Sequence, residues 1–174
     1  MPGRRPYGAF LGAAFATLAM LAPAVTSASG SSTGNLNVST TVNQNCSTSS
    51  PTLNFGSYNP ITTNATADLD SSTTIAVTCS LDGSVTLGFD LGTNAQANHC
   101  GPSPQRCMAN GSSYLNYNIY ASTSDRTSDS PWTAAIPETI GGGSATISIY
   151  GRVPGGQDAA VGSYTDSIVA TVYY

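Results

Sequence analysis

Residues 73–91 read TTIAVTCSLDGSVTLGFDL. From Thr73 to Cys79 an apolar side chain falls at every second position, so Ile75, Val77 and Cys79 share a face. From Ser84 to Leu91 the same spacing places Val85, Leu87, Phe89 and Leu91 on one face. A repeat of two is the pleat of a half-buried strand, whereas a helix would need a repeat of 3.6. Between the two runs stands Ser80-Leu81-Asp82-Gly83, whose Asp-Gly step is a strong turn signal. The stretch therefore predicts two strands joined as a hairpin.

The same alternation continues in both directions. Upstream, Leu36, Val38, Thr40 and Val42 share one face of a polar segment, and Leu53 to Tyr58 reads as a short strand ended by Asn59-Pro60. Downstream, Leu115, Tyr117 and Ile119 alternate, as do Ala145, Ile147 and Ile149. Residues 92–113 and 121–143 read as polar connections, the second ending in Gly141-Gly142-Gly143. The chain closes on Tyr164 to Tyr174, YTDSIVATVYY. No stretch past residue 28 carries a helical period. Short strands divided by Gly, Pro and Asn turns predict an all-β sandwich.

Composition fixes the compartment. Arg4 and Arg5 precede an uncharged apolar run from Gly8 to Ala24, and small residues follow to Ala28. Basic, apolar, then small is the order of a secretory signal peptide. The apolar run is shorter than the roughly 20 residues of a membrane-spanning helix. Residues 1–28 are therefore predicted to be removed, with cleavage after Ala28 or, as second choice, after Ala24, and no membrane span is expected afterwards. The paired arginines fit a twin-arginine signal only weakly, and the general export route is the expectation.

What remains, about 146 residues, is one domain's worth of chain. It has no lysine and keeps only Arg106, Arg126 and Arg152 against nine acidic residues. That balance excludes a basic nucleic-acid surface and a patch for anionic membranes. Charged residues are 8% of the chain, against about 25% in an average domain. Hydroxyls and amides fill the surface instead, as suits an extracellular β-protein.

Cys46, Cys79, Cys100 and Cys107 form an even set in an exported chain, which reads as two disulfides with three possible connectivities. The reading adopted pairs Cys46 with Cys79, and Cys100 with Cys107 around Gly101-Pro102-Ser103-Pro104. A metal site is not expected, since no CxxC occurs and His99 is the one histidine. Catalysis is not expected either. There is no lysine to activate, and no G-x-S-x-G elbow. Asp68-Leu69-Asp70 lacks the spacing of a calcium loop and reads as turn capping. Trp132 could stack on a sugar, but a lone tryptophan more commonly sits in a core or lid. No cofactor is predicted.

The two ends of the chain pose a problem. The last strand runs to Tyr174, with nothing after it to pair with its far edge. An additional strand, 35–44, stands at the other end, ahead of about six more. It either pairs within its own domain or leaves an apolar groove open, which would be an aggregation hazard.

Five motifs in order resemble a known family: Cys46 followed by Leu53-Asn54-Phe55-Gly56-Ser57-Tyr58; Ile75-Ala76-Val77-Thr78-Cys79; Leu115-Asn116-Tyr117-Asn118-Ile119-Tyr120 with Trp132 downstream; Ile149-Tyr150-Gly151-Arg152-Val153-Pro154; and Gly162-Ser163-Tyr164-Thr165-Asp166 running on to Val172. Ala170 stands where the family more often has valine. The chain from about Gly34 to Tyr174 is similar to the spore coat protein U domain family, which includes subunits of archaic, Csu-like chaperone–usher pili. The Cys100–Cys107 pair is not among those motifs.

The resemblance implies an incomplete immunoglobulin-like sandwich that lacks its last strand. A periplasmic chaperone would supply that strand in transit, and an outer-membrane usher would exchange it for the extension of the next subunit, a strand addition. On this reading residues 29–45 are an N-terminal extension and 46–174 the sandwich. Leu36, Val38, Thr40 and Val42 form the donor strand. Ile168, Ala170, Val172 and Tyr174 border the acceptor groove. The expected function is a structural pilus subunit polymerising by donor-strand exchange at the cell surface, for adhesion and biofilm formation, with copies of itself or related subunits as partners. The alternatives are a secreted coat or matrix protein that does not polymerise, and a small lectin using Trp132 and tyrosine residues.

Overall fold

The computed structural model describes residues 29–95, 100 and 105–174. The signal segment and His99 lie outside the described residues. The chain divides into two units, Met1–Thr40 and Thr41–Tyr174. Among the described residues of the first unit there is no strand, and every residue from 29 to 40 is exposed. Apolar Leu36 and Val38 are 87% and 84% exposed.

The second unit is built from β1 (Cys46–Thr48), β2 (Leu69–Cys79), β3 (Gly83–Phe89), β4 (Arg106–Asn110), β5 (Ser113–Tyr120), α1 (Thr123–Thr127), β6 (Ile136–Ile140), β7 (Ser144–Val153) and β8 (Ala170–Tyr173). They form two antiparallel sheets, of order β1-β2-β7-β5-β4 and β6-β3-β8. The longest ladder joins β2 to β7, from Leu69 opposite Val153 to Thr78 opposite Ser144. The inward residues meet between the layers: Ile75 and Val77 from β2, Leu115 and Ile119 from β5, Ile147 and Ile149 from β7, Val85 and Leu87 from β3, with Ile140 of β6. Alternation along each strand produces this directly, because period-two apolar residues can all face one neighbour.

Four sequence expectations change. The 73–91 stretch is not a hairpin. β2 pairs with β1 and β7, β3 with β6 and β8, so the Asp-Gly turn carries the chain from one sheet to the other. The turn's partner is the glycine loop: Asp82 Oδ1 accepts from Gly143 N at 2.6 Å, and Cys79 N donates to Gly143 O at 2.9 Å. Second, the two polar connections contain strands β4 and β6 and the short helix α1, which Ser122 caps through its hydroxyl. β6 holds Pro137 because it is an edge strand, where a missing N–H does no harm. Third, Leu53–Tyr58 pairs with no strand. Fourth, within Tyr164–Tyr174 only Ala170–Tyr173 is strand, preceded by an isolated bridge from Thr165 to Ala109.

Disulfides join Cys46 to Cys79, across the β1–β2 ladder, and Cys100 to Cys107. Arg106 opens β4 and is wholly buried. Its Nε donates to Asp90 O at 2.8 Å and its Nη2 to Trp132 O at 3.0 Å and to Phe89 O at 3.4 Å, which ties β4 to the chain leaving β3. Burial lowers its pKa from the ordinary value, yet an arginine stays charged. Trp132 is 3% exposed and meets Phe89 edge-on, with ring centroids 4.9 Å apart. Its faces are in the core and not free to stack on a sugar, so the lectin reading loses its tryptophan.

On the outer side of β2 and β7, Arg152 forks onto Asp70, opposite it in the ladder, with Nε–Oδ1 2.8 Å and Nη2–Oδ2 3.0 Å. Arg152 also reaches Asp68 at 3.1 Å, and Arg126 reaches Asp70 at 3.3 Å. The Asp-Leu-Asp step therefore serves an ion-pair group as well as a turn, where Asp68 accepts from Gly155 N. Among the described residues no group of three His, Cys, Asp or Glu side chains could hold a metal, and no helix is long and apolar enough to cross a membrane.

Candidate functional site

The sandwich is open along one side. A cleft of about 1430 Å³ lies between the segment 50–61 and the segment 156–170. That exceeds the roughly 300–1,000 Å³ of a small-molecule pocket. Its floor is the core itself, including Ile75, Leu115, Ile149 and Val153. The inward residues of β2 show the opening. Ile75, Val77 and Cys79 are buried, but Leu69, Ser71 and Thr73 at the cleft end of the strand are only half-buried.

One wall is the motif 53–58. Leu53 and Phe55 lie over Gly151, on the core face of β7. A Cβ there would fall 2.6 Å from Leu53 Cδ2 and 2.7 Å from Phe55 Cζ. Glycine is thus required where two motifs 95 positions apart in the chain, Phe55-Gly56 and Tyr150-Gly151, press together. Phe55 also meets Tyr117 edge-on at 5.9 Å. Side-chain bonds rather than a ladder hold this wall: Ser71 Oγ donates to Asn54 O at 2.6 Å, and Tyr58 Oη accepts from Gln157 N at 2.9 Å.

The other wall is the terminal segment. Thr165 exchanges two bonds with Ala109, Ser167 O accepts from Thr93 N, and Val169 O accepts from Asp90 N. Val169 N donates to Asp90 Oδ1. β8 then pairs with β3, from Phe89 opposite Ala170 to Thr86 opposite Tyr173. These bonds all run from odd-numbered residues. Backbone groups alternate in direction along a strand, so the N–H and C=O groups of Asp166, Ile168, Ala170 and Val172 point the other way. Among the described residues the sheet has no further strand on that side of β8. The side chains of the same even-numbered residues point inward and are half-buried, whereas Val169 is 57% exposed. The terminal segment therefore offers an unpaired edge along an apolar cleft.

Of the residues predicted to border the groove, Ile168 and Ala170 line the cleft. Val172 is half-buried in β8, and Tyr174 lies past β8 at 59% exposure, apart from the others. Of the predicted donor residues, Thr40 is exposed like Leu36 and Val38, and Val42, in the second unit, is 74% exposed; all four lie outside any strand.

Sequence reasoning missed a polar pair on this floor. Tyr117 Oη donates to Asp166 Oδ2 at 2.8 Å. Asp166 Oδ1 accepts from Thr93 Oγ1 at 3.0 Å, from Asn94 Nδ2 at 3.0 Å and from Asn94 N at 3.3 Å. Burial, then the bond to Asp166, raises the Tyr117 phenol well above its usual pKa. Asp166 thereby pins the terminal segment to β5 and to the loop that leads to Cys100. Gly92 makes room for it, since a Cβ there would overlap Asp166. The available signal was the aspartate within an otherwise apolar alternation.

A two-layer antiparallel sandwich, immunoglobulin-like but lacking one edge strand, is the class these features define. The chain belongs to the Spore Coat Protein U domain family, whose model matches residues 32–171. It is 32% identical over 154 residues to "Protein U" of Myxococcus xanthus, a match covering 82% of this chain and 84% of that protein. Among solved structures it is similar to a chain in the CsuC-CsuE chaperone-tip adhesion subunit pre-assembly complex from archaic chaperone-usher Csu pili of Acinetobacter baumannii. That likeness has a TM-score of 0.54 at 18% identity and covers 77% of this chain. The chain spans 40% of that chain's length, and the likeness is one of fold.

Proposed function

We propose that this protein is a structural pilus subunit that polymerises by donor-strand exchange. Residues 35–44 of one copy insert into the cleft of the next, between the wall at 50–58 and the free edge of 164–172. Ten extended residues span about 33 Å, enough to lie along a sandwich edge. Leu36, Val38 and Val42 enter the apolar floor, and each buried side chain contributes roughly 1.5–3 kcal/mol. The subunit is exported, carried through the periplasm by a chaperone that fills the cleft, and passed to an outer-membrane usher. The resulting fibre serves adhesion and biofilm formation at the cell surface. One observation carries the reading: an apolar cleft with an unpaired strand edge occurs in a chain that also exposes an unpaired, alternating apolar segment.

The test uses two changes. Val38→Arg places an unpaired charge in the cleft. It is expected to abolish the ladder of subunits on unboiled denaturing gels, while the protein remains folded in the presence of its chaperone. Moving residues 35–44 to the C-terminus through a short flexible linker is expected to give a stable monomer. If Val38→Arg unfolds the domain and removal of residues 29–44 leaves oligomers unchanged, the segment pairs at home. The non-polymerising coat-protein reading then replaces this one.

A further inference from the structure

The inward face of the inserted segment and that of the terminal segment each carry one short polar residue among larger apolar or aromatic ones. Along the inward face of 36–42 the sequence is Leu36, Val38, Thr40, Val42, with one hydroxyl among apolar side chains. Along the cleft, the inward residues of the terminal segment are Tyr164, Asp166, Ile168 and Ala170, with one carboxylate. Its Oδ1 already accepts three bonds, whereas Oδ2 accepts only that from Tyr117. A carboxylate oxygen has room for two donors. In the open cleft, water can fill that place. A strand laid across the cleft would displace the water, and a buried acceptor then needs a replacement donor.

We infer that Thr40 of a second copy lies opposite Asp166 and donates its hydroxyl hydrogen to Oδ2, fixing the register at which the two strands pair. The inference rests on the donor-strand reading and adds the alignment. Among the described residues all strand pairs are antiparallel. In the antiparallel sense, Thr40 opposite Asp166 sets Val38 opposite Ile168, Leu36 opposite Ala170 and Val42 opposite Tyr164. Every apolar side chain then meets an apolar or aromatic one. A slip of two residues one way places Val42 against Asp166 and Thr40 against Ile168. The opposite slip places Val38 against Asp166 and Thr40 against Tyr164, whose hydroxyl already donates to Ala160 O. Both slips leave the carboxylate facing a methyl group, and the first also buries the Thr40 hydroxyl without a partner. A single buried polar match selects register in the same way in coiled coils.

The outward residues report the register without disturbing the cleft. In the inferred alignment Ser39 faces Ser167 in a non-hydrogen-bonded pair, whose Cα atoms sit about 4.5 Å apart, close enough for a disulfide. The two slipped alignments would instead bring Ser39 to Val169 or to Thr165. All four positions are exposed.

Three full-length double variants settle the matter: Ser39→Cys with Ser167→Cys, Ser39→Cys with Val169→Cys, and Ser39→Cys with Thr165→Cys. Each is assembled, oxidised and run boiled without reductant. A covalent ladder is expected from the first pair alone. A ladder from either other pair instead, or from none while unboiled polymers persist, overturns the register but leaves the donor-strand reading standing. If the unsubstituted chain forms no unboiled ladder, the donor-strand reading itself fails. Thr40→Val, which keeps the shape and removes the hydroxyl, is expected to spread cross-linking into the slipped pairs and to shorten polymer lifetime about tenfold. Thr40→Ser is expected to restore both. A Thr40→Val polymer with one register and an unchanged lifetime overturns the inference.

Discussion

β7 and the last residues of the chain read almost alike: Ala145, Ile147 and Ile149 alternate in one, Ile168, Ala170 and Val172 in the other. Their fates differ. β7 lies between β2 and β5, and Ile147 and Ile149 are 8% and 4% exposed. The terminal segment has neighbours on one side, and its inward residues are half-buried over the cleft. Alternation records which face a side chain takes. It does not record how many strands stand beside it. The contrast is one of neighbours, not of residue chemistry, and it disappears if a strand is supplied.

Supplying that strand should therefore produce the largest change. Compared with a chain lacking residues 29–44, the form with 35–44 fused at its C-terminus is expected to melt about 10 °C higher or more. Two or three newly buried apolar side chains contribute roughly 1.5–3 kcal/mol each, and each kcal/mol moves the midpoint by about 2–4 °C in a domain of this size. Differential scanning calorimetry of the two forms gives the answer. Equal midpoints would mean that the cleft gains nothing from being filled.

Single truncations sharpen the comparison. Ile147→Ala removes a buried β7 side chain that does not line the cleft and is expected to cost about 2–5 kcal/mol in either form. Ile168→Ala is expected to cost only about 1 kcal/mol with the cleft open. With the strand fused it should approach the Ile147 value, because its missing neighbours are then in place. Urea midpoints for both variants in both forms measure this, and an Ile168 cost that ignores the fused strand would break the argument.

The polar anchors of the two strands should titrate at opposite ends of the pH scale. Tyr117 holds the terminal segment through Asp166, and its phenol pKa is raised by burial and then by that bond. A raised value means its stabilisation is complete below the free phenol value of about 10 and is lost as pH rises beyond it. Between pH 10 and 11 the parent should lose stability relative to Tyr117→Phe, by up to about 1.4 kcal/mol per pH unit. Parallel alkaline titrations with the same denaturant series would reveal a coincident pair of curves if the bond contributes nothing.

The smallest effect belongs to β7's own anchor. Hydrogen bonding from Arg152 lowers the Asp70 pKa. A lowered value means the stabilisation is present above the free carboxylate value of about 3.9 and fades as pH falls through the folded value. Since the Asp70 side chain is 37% exposed, solvent screens the pair and Asp70→Asn should cost no more than about 1 kcal/mol at neutral pH. As pH falls below the free carboxylate value and Asp70 itself becomes protonated, the variant and parent should converge. A loss well above that at neutral pH would show the ion-pair group to be less screened than its exposure implies.

The inward faces were legible because burial and alternation are the same fact at Ile75, Val77, Val85, Leu87, Leu115 and Ile119. The hairpin was not. Asp82-Gly83 specifies a reversal of direction, but which sheet receives the next strand depends on Gly143, 61 positions away, whose N–H the Asp82 carboxylate takes. β6 was hidden by Pro137 and Glu138, residues tolerated on an edge strand and avoided in a central one. β4 was hidden because Arg106 and Cys107 read as loop residues, and only the folded chain shows one buried against carbonyls and the other in a disulfide. The cleft's two apolar walls were visible as motifs. The Tyr117–Asp166 bond on its floor joins positions 49 apart, a pairing that no local pattern encodes.

The Cys46–Cys79 bond has a mechanical consequence. A pull on residues 29–44 reaches the sandwich at Asn45, whose backbone bonds Ser80, and at Cys46 beside it. Without the bond, that force would fall on the three residue pairs between Cys46–Thr48 and Thr78's neighbourhood in β2, a ladder short enough to unzip one rung at a time. The disulfide passes it covalently to Cys79 at the end of β2. From there tension runs along β2 into its ladder with β7, which spans Leu69 to Thr78 and must slide as a whole before any rung is released. Peeling at the edge is thereby converted into shear through the middle of the sheet, and the bond sits where that conversion takes place.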